Sequence, residues 1–178
     1  MKVNVVNEGI KWGCINGLIA VLIMYGSWAA GINTFVSVSF WANFCPYMIV
    51  ILIIAGLQLK KQNEGLLPFS QALKFTFLSY VIVAVIGALG TYVLYNLIDK
   101  DLTMKSAEAG IAKTQSMMEK FGAKEEDIEK TIKSMREEGT KGTGLGKILM
   151  GTGMFLIWDF VKSLLISLII RKEEKFAD

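Results

Sequence analysis

An acid and a base lie three positions apart within the last apolar stretch of the chain, FLIWDFVKSLL, residues 155–165. Asp159 falls at the centre of a predicted membrane span, where one charge costs about 2.5–3.5 kcal/mol on insertion scales. Because positions i and i+3 share a helical face, Asp159 and Lys162 can form an ion pair that faces the other helices. The alternatives are a proton or ion path, and a partner helix that supplies counter-charges.

The chain carries few other groups that are typical of catalysis. Its 178 residues include no histidine, which is the commonest general base and metal ligand. Its two cysteines, Cys14 and Cys45, have neither metal-ligand nor redox spacing. The sequence therefore predicts no metal, no cofactor and no enzymatic activity. The net charge of +3, without a basic stripe, also argues against nucleic-acid binding.

The elements that position Asp159 are predicted to be membrane helices. The chain is 53% hydrophobic, and more than half of its charged residues fall between positions 99 and 147. A bilayer core of about 30 Å is crossed by about 20 helical residues. The stretches that are long and apolar enough lie at about 10–32, 35–59, 69–98 and 148–170. We therefore predict an all-α polytopic membrane protein with four transmembrane helices, built as a single domain over residues 1–178.

Lysine and arginine near the span ends predict the orientation, because these residues are enriched in cytoplasmic loops. They occur at positions 2 and 11, at positions 60 and 61 after the second span, and within the tail 171–175. We therefore expect both termini to face the cytoplasm of a bacterial inner membrane, together with the loop 60–68.

The connection between the third and fourth predicted spans has a helical pattern of its own, with apolar residues at helical spacing opposite a polar face. We predict an extracytoplasmic insert at about 103–137, made of amphipathic helices at about 103–121 and 124–137 and hinged at Gly122. Its apolar face is a candidate docking surface for a partner, formed by Ile111, Met118, Phe121, Ile128 and Ile132. Capping of the bundle and lying on the membrane are the alternatives.

Small residues four positions apart predict where helices approach closely. In the first span these pairs are Gly13 with Gly17 and Gly26 with Ala30. Packing within one chain is the preferred interpretation, and a homodimer through Gly13 and Gly17 is the alternative. Asn16, on the same face, is expected to hydrogen-bond to another span.

A proline interrupts the second predicted span, at Pro46 in the motif WANFCPYM. A proline inside a helix lacks a backbone donor and leaves the carbonyl four residues back without its partner. We predict a kink at Pro46, with Asn43 as a candidate partner for that carbonyl. The kink is a packing feature or, alternatively, part of a substrate cavity.

The motifs GIKWGCINGLIA, LQLKKQNEG and LPFSQALKFTF are followed along the chain by the charged helical insert and a basic tail. With these features the sequence resembles an uncharacterised four-span integral-membrane family, common in Bacteroidetes and described as a domain of unknown function. The resemblance covers essentially the whole length. It implies the four-span fold, and it supplies no activity or catalytic residue to carry over.

The sequence favours a non-enzymatic scaffold or accessory component of the membrane. The alternative is a small transporter or channel subunit with Asp159 and Lys162 near its pathway, and an enzyme that acts on lipid ranks last. The expected partners are the lipid bilayer and another membrane or envelope protein, or a second copy in a homodimer.

Overall fold

A computed structural model describes residues 4–42 and 46–172 of the chain. Helices make up 86% of these residues, which contain no strand. The helices are α1 Val5–Ala29, α2 Ile32–Ala42, α3 Tyr47–Gln62, α4 Phe69–Tyr92, α5 Leu102–Lys120, α6 Glu125–Thr140 and α7 Leu145–Ile170. A π-helical segment, Val93–Ile98, continues α4. The prediction of an all-α fold is therefore confirmed for the described residues.

Three of the described helical stretches are long and apolar enough to cross a membrane: Val5–Ala29, Phe69–Ile98 and Leu145–Ile170. They contain 25, 30 and 26 residues. At about 1.5 Å per residue, each is longer than a bilayer core of about 30 Å. These stretches correspond to the first, third and fourth predicted spans. A fourth candidate span exists if α2 and α3 together form one.

The second predicted span is not one continuous helix. Helix α2 ends at Ala42, and α3 begins at Tyr47, directly after Pro46. Since proline has no N–H to donate and fixes φ, it is tolerated at the start of a helix far better than inside one. Pro46 therefore lies directly before α3 rather than inside it, and the kink at Pro46 stays a prediction. Asn43 lies outside the described residues.

The chain forms two compact units, of which the first comprises the described residues of 1–21, 45–89 and 149–178. Gly56 gives α3 a flat face, and a Cβ at this position would collide with the side chain of Ile170 on α7. These two helices therefore pack closely. The buried core around them consists of Leu52, Ala55, Leu59, Leu67, Ala72, Phe75, Tyr80, Ile166 and Ile170.

The second unit comprises the described residues of 22–44 and 90–148. Helices α5 and α6 pack against each other as a hairpin, and α5 also packs against α2. Gly122, in the hairpin turn, has φ +73°, a left-handed conformation that glycine adopts without steric cost. The acids Glu125, Glu126 and Asp127 occupy the first turn of α6, where the helix dipole favours negative charge.

Candidate functional site

The structure brings Asp159 and Lys162 together on α7. The Lys162 ammonium lies 2.6 Å from Oδ1 of Asp159, and the two side chains are 38% and 15% exposed. A separation of three helical residues permits this contact without any contribution from another element. The pair places two opposite charges in a helix that is otherwise uncharged from Ile148 to Ile170.

Tyr80 of α4 completes this cluster, and its place there was not predicted from the sequence. The Lys162 ammonium lies 5.2 Å from the centroid of the Tyr80 ring, within the range of a cation–π contact. The Tyr80 side chain is 1% exposed. Its hydroxyl group has no hydrogen-bond partner in the part of the chain that the structure describes. The only sequence signal was a tyrosine in the middle, rather than at an end, of a predicted span.

Hydroxyl groups connect α4 to α7 one to two turns from the ion pair. Thr76 Oγ1 lies 3.3 Å from the carbonyl oxygen of Ser163 and 3.0 Å from Ser167 Oγ. Ser163 in turn donates to the carbonyl oxygen of Asp159, at 2.7 Å. Thr76, Ser163 and Ser167 are fully buried. These bonds satisfy polar groups where water is excluded, so the hydroxyl groups hold the two helices together.

The glycine-bearing face of α1 packs directly on α4. A Cβ at Gly13 would lie 2.7 Å from Cβ of Ile82, and one at Gly17 would lie 2.8 Å from Cδ1 of Ile86. Ser79 Oγ also donates to the carbonyl oxygen of Gly9, at 3.0 Å. The face containing Gly13 and Gly17 is therefore occupied within one chain, as preferred from the sequence, and is not free for the homodimer.

The other small pair of the first span behaves differently. No atom lies within 4 Å of a Cβ built at Gly26, and both Gly26 and Ala30 are exposed. The prediction that this pair packs against another helix is wrong for the described residues. Asn16 is fully buried, yet neither of its amide atoms has a partner among the described residues. The expected hydrogen bond from Asn16 to another span is therefore not observed there.

Four of the five residues of the predicted docking surface are buried or half-buried. Ile128 is buried, at 9% exposed, and the side chains of Ile111, Met118 and Ile132 are half-buried. Phe121, at the end of the hairpin, differs from them because it is 84% exposed. Phe121 is therefore the one residue of the predicted docking surface that stays largely exposed.

A second polar cluster lies in the second unit. Nε1 of Trp28 donates to Oδ2 of Asp99 at 3.2 Å, and the Lys105 ammonium donates to Oδ1 at 2.7 Å. The hydrogen bond from Lys105 holds the pKa of Asp99 below its usual value, and the bond from Trp28 acts in the same direction. Both bonds favour the ionised carboxylate. The cluster connects the end of α1 to the start of α5.

This cluster predicts an acid titration that Trp28 reports. In a Trp12→Phe, Trp41→Phe, Trp158→Phe background, we expect Trp28 fluorescence to titrate with a midpoint below about 3.9, the ordinary value for aspartate. Since the folded pKa is depressed, the stability that Asp99 contributes is present above the unfolded pKa. It is lost as the pH falls through the folded pKa.

Lys105→Met removes the largest cause of the depression, so it should raise the Trp28 midpoint toward the ordinary value. Lys100→Met serves as the control, because the hydrogen bonds that lower the pKa of Asp99 come from Lys105, Trp28 and the backbone of Asp101. A midpoint that does not respond to Lys105→Met would contradict this account of the cluster.

Within residues 4–42 and 46–172, no group of three or more acidic, cysteine or histidine side chains is placed to hold a metal ion. The long apolar helices and their internal polar contacts define a multi-pass helical membrane protein. The chain belongs to the family described as "Protein of unknown function (DUF4199)", whose model matches residues 11–172. No curated protein and no solved structure matches the chain.

Proposed function

We propose that this protein is a non-enzymatic scaffold or accessory component of a bacterial inner membrane. The observation that carries the proposal is that polar groups on the apolar helices are paired or hydrogen-bonded within the protein. Asp159 is paired with Lys162, and the hydroxyl groups of Thr76, Ser163 and Ser167 bond to one another or to backbone carbonyls. Hydroxyl groups that bond across two helices in this way stabilise their packing, which supports a structural role.

The proposal includes four membrane crossings with both termini in the cytoplasm. One support is a pair of backbone hydrogen bonds between Leu67 and Lys172, at 2.9 and 2.8 Å. They put the loop before α4 and the chain after α7 on the same side of the first unit. Both segments carry basic residues, Lys60 and Lys61 at the end of α3 and Arg171 beside Lys172, which favours the cytoplasmic side.

The proposed contact with a partner is made by the end of the α5–α6 hairpin. Among the described residues, Phe121 has the most exposed of the large apolar side chains, at 84%. Aromatic residues are enriched at the centres of protein interfaces, where they fill pockets of the partner. We assign this contact to another membrane or envelope protein, because the charges around the hairpin are mixed in sign and do not favour an anionic lipid surface.

A photo-crosslinker in place of Phe121 tests the scaffold proposal in living cells. We expect p-benzoylphenylalanine at position 121 to give one discrete protein adduct that mass spectrometry identifies. The same crosslinker at Leu165, 58% exposed on α7, is the matched control and should react with lipid. Loss of the adduct in a chain with Glu119→Lys and Lys120→Glu beside the crosslinker would show charge-dependent recognition. Lipid adducts alone at position 121 would refute the partner contact.

The second candidate function is a small transporter or channel subunit, and one observation favours it. The hydroxyl group of Tyr80 and the amide of Asn16 are buried without partners among the described residues. A buried polar group without a hydrogen bond costs about 1–3 kcal/mol. Water or a permeating ion at these groups would remove that cost, and would place a hydrated path beside Asp159.

Tyr80→Phe separates the two candidates. If the hydroxyl group has no partner, its removal should leave the melting temperature unchanged or raise it, because phenylalanine has the same shape. If water or an ion binds there, the variant should be less stable and should lose ion flux in liposomes. Tyr25→Phe is the control, since the Tyr25 hydroxyl donates to the carbonyl oxygen of Gly90 at 3.0 Å. The control should cost about 1 kcal/mol.

A further inference from the structure

Helix α2 has a charged neighbour at mid-length. In the second unit α5 packs against α2, and the ammonium group of Lys113 donates a hydrogen bond to Ser37 Oγ. Ser37 is the sixth of the 11 residues in Ile32–Ala42. The middle of α2 and the ammonium group of Lys113 therefore lie at the same depth relative to the membrane.

Helix α5 cannot lie in the hydrocarbon core. Its charged residues are Lys105, Glu108, Lys113, Glu119 and Lys120. Each charge at the centre of a bilayer costs about 2.5–3.5 kcal/mol on insertion scales, so the total for five is prohibitive. Packed helices are separated by about 8–10 Å between their axes. A helix that packs on α5 through the middle of its own length is therefore held near the water boundary as well.

The last turn of α2 has the side chains that suit such a boundary. Phe40 and Trp41 are 46% and 67% exposed, and their ring centroids lie 5.6 Å apart in an edge-to-face arrangement. Tryptophan is enriched where membrane and water meet, because its ring is apolar and its N–H is polar. The two exposed rings fit the boundary between lipid headgroups and acyl chains.

We propose that α2 lies in the outer headgroup layer of the membrane, and that α3 alone makes the second crossing. The inference rests on the proposed four-span arrangement, and its partner is the lipid surface. The 16 residues of α3 extend about 24 Å. They run from Tyr47 to the basic pair Lys60 and Lys61, side chains typical of the two interfaces. A bilayer accommodates a helix a few ångströms too short by local thinning.

The depth of two matched pairs of positions tests the inference. In a Cys14→Ala, Cys45→Ala background, single cysteines replace Thr34 and Trp41, which share a face of α2 because they are seven residues apart. The purified full chain is labelled with bimane and reconstituted in phosphatidylcholine liposomes. Nitroxide lipids that quench at known depths then locate each label. Seven residues of a crossing helix rise about 10 Å, whereas an interfacial helix gives nearly equal depths.

The control pair is Val50→Cys and Leu57→Cys, also seven residues apart and both exposed on α3. We expect these labels to differ in depth by about 10 Å and the α2 labels by less than about half of that. A larger difference along α2 overturns the inference, because α2 would then form the outer part of a crossing. Equal depths along α3 would instead refute the four-span arrangement itself, so the two failures give different signals.

Discussion

We expect Asp159→Asn and Lys162→Met each to lower the melting temperature in detergent, and the double substitution to recover most of the loss. Removal of one member of the pair leaves a single charge in the middle of a candidate membrane span, which costs about 2.5–3.5 kcal/mol. For a chain of this size that loss corresponds to a decrease of roughly 5–15 °C. Recovery in the double variant is the sign of coupling, because two independent effects would simply add.

Lys147→Met is the control for these variants. Lys147 pairs with Glu138 at 2.9 Å, but the two side chains are 41% and 54% exposed. An exposed pair is screened by solvent and contributes little, so the melting temperature should change little. If Asp159→Asn and Lys162→Met behave like this control, the charges are hydrated. The hypothesis that the pair has a structural role is then wrong, and ion flux becomes the property to measure.

Gly13→Ala should have the second large effect, through the contact between α1 and α4. The added Cβ would lie 2.7 Å from Cβ of Ile82 and 2.8 Å from the backbone carbonyl oxygen of Ser79. Backbone cannot move aside as a flexible side chain can, so the two helices have to separate. We expect a loss of about 1–3 kcal/mol of stability, as is common for overpacked cores, measured by thermal unfolding in detergent.

Gly26→Ala is a matched control in the same helix, because nothing lies within 4 Å of the added Cβ. Alanine is favoured over glycine inside a helix by about 0.8–1.0 kcal/mol in water. The control should therefore be neutral or slightly more stable. Equal losses for Gly13→Ala and Gly26→Ala would contradict close packing of α1 on α4 and indicate a general intolerance of α1 to larger residues.

Features that depend on local spacing could be predicted from the sequence. The length of the apolar stretches identified α1, α4 and α7, because the bilayer sets the length of a crossing helix. The separation of three residues between Asp159 and Lys162 was sufficient to predict that they can pair. The spacing of Gly13 and Gly17 identified a face of close approach, but the same spacing at Gly26 and Ala30 leads to no such contact.

Features that depend on which helices become neighbours could not be predicted. Tyr80 joins the ion pair only because α4 packs beside α7, and nothing in the local pattern around Tyr80 specifies that neighbour. The spacing of apolar residues predicts an apolar face on the insert. The same spacing fits a face that binds a partner protein and a face that packs on the next helix of the chain. Pro46 fits both a kink and a helix start, and only the position of the break decides between them.

The order of the segments in the first unit has a consequence for biosynthesis. The unit contains residues from both ends of the chain, 4–21 and 149–172, and the backbone bridge from Leu67 closes on Lys172. Ribosomes deliver the N-terminal segments first, so Thr76 is synthesised before its partners on α7, Ser163 and Ser167. A nascent chain that stops before α7 therefore leaves the hydroxyl group of Thr76 without its two partners on that helix.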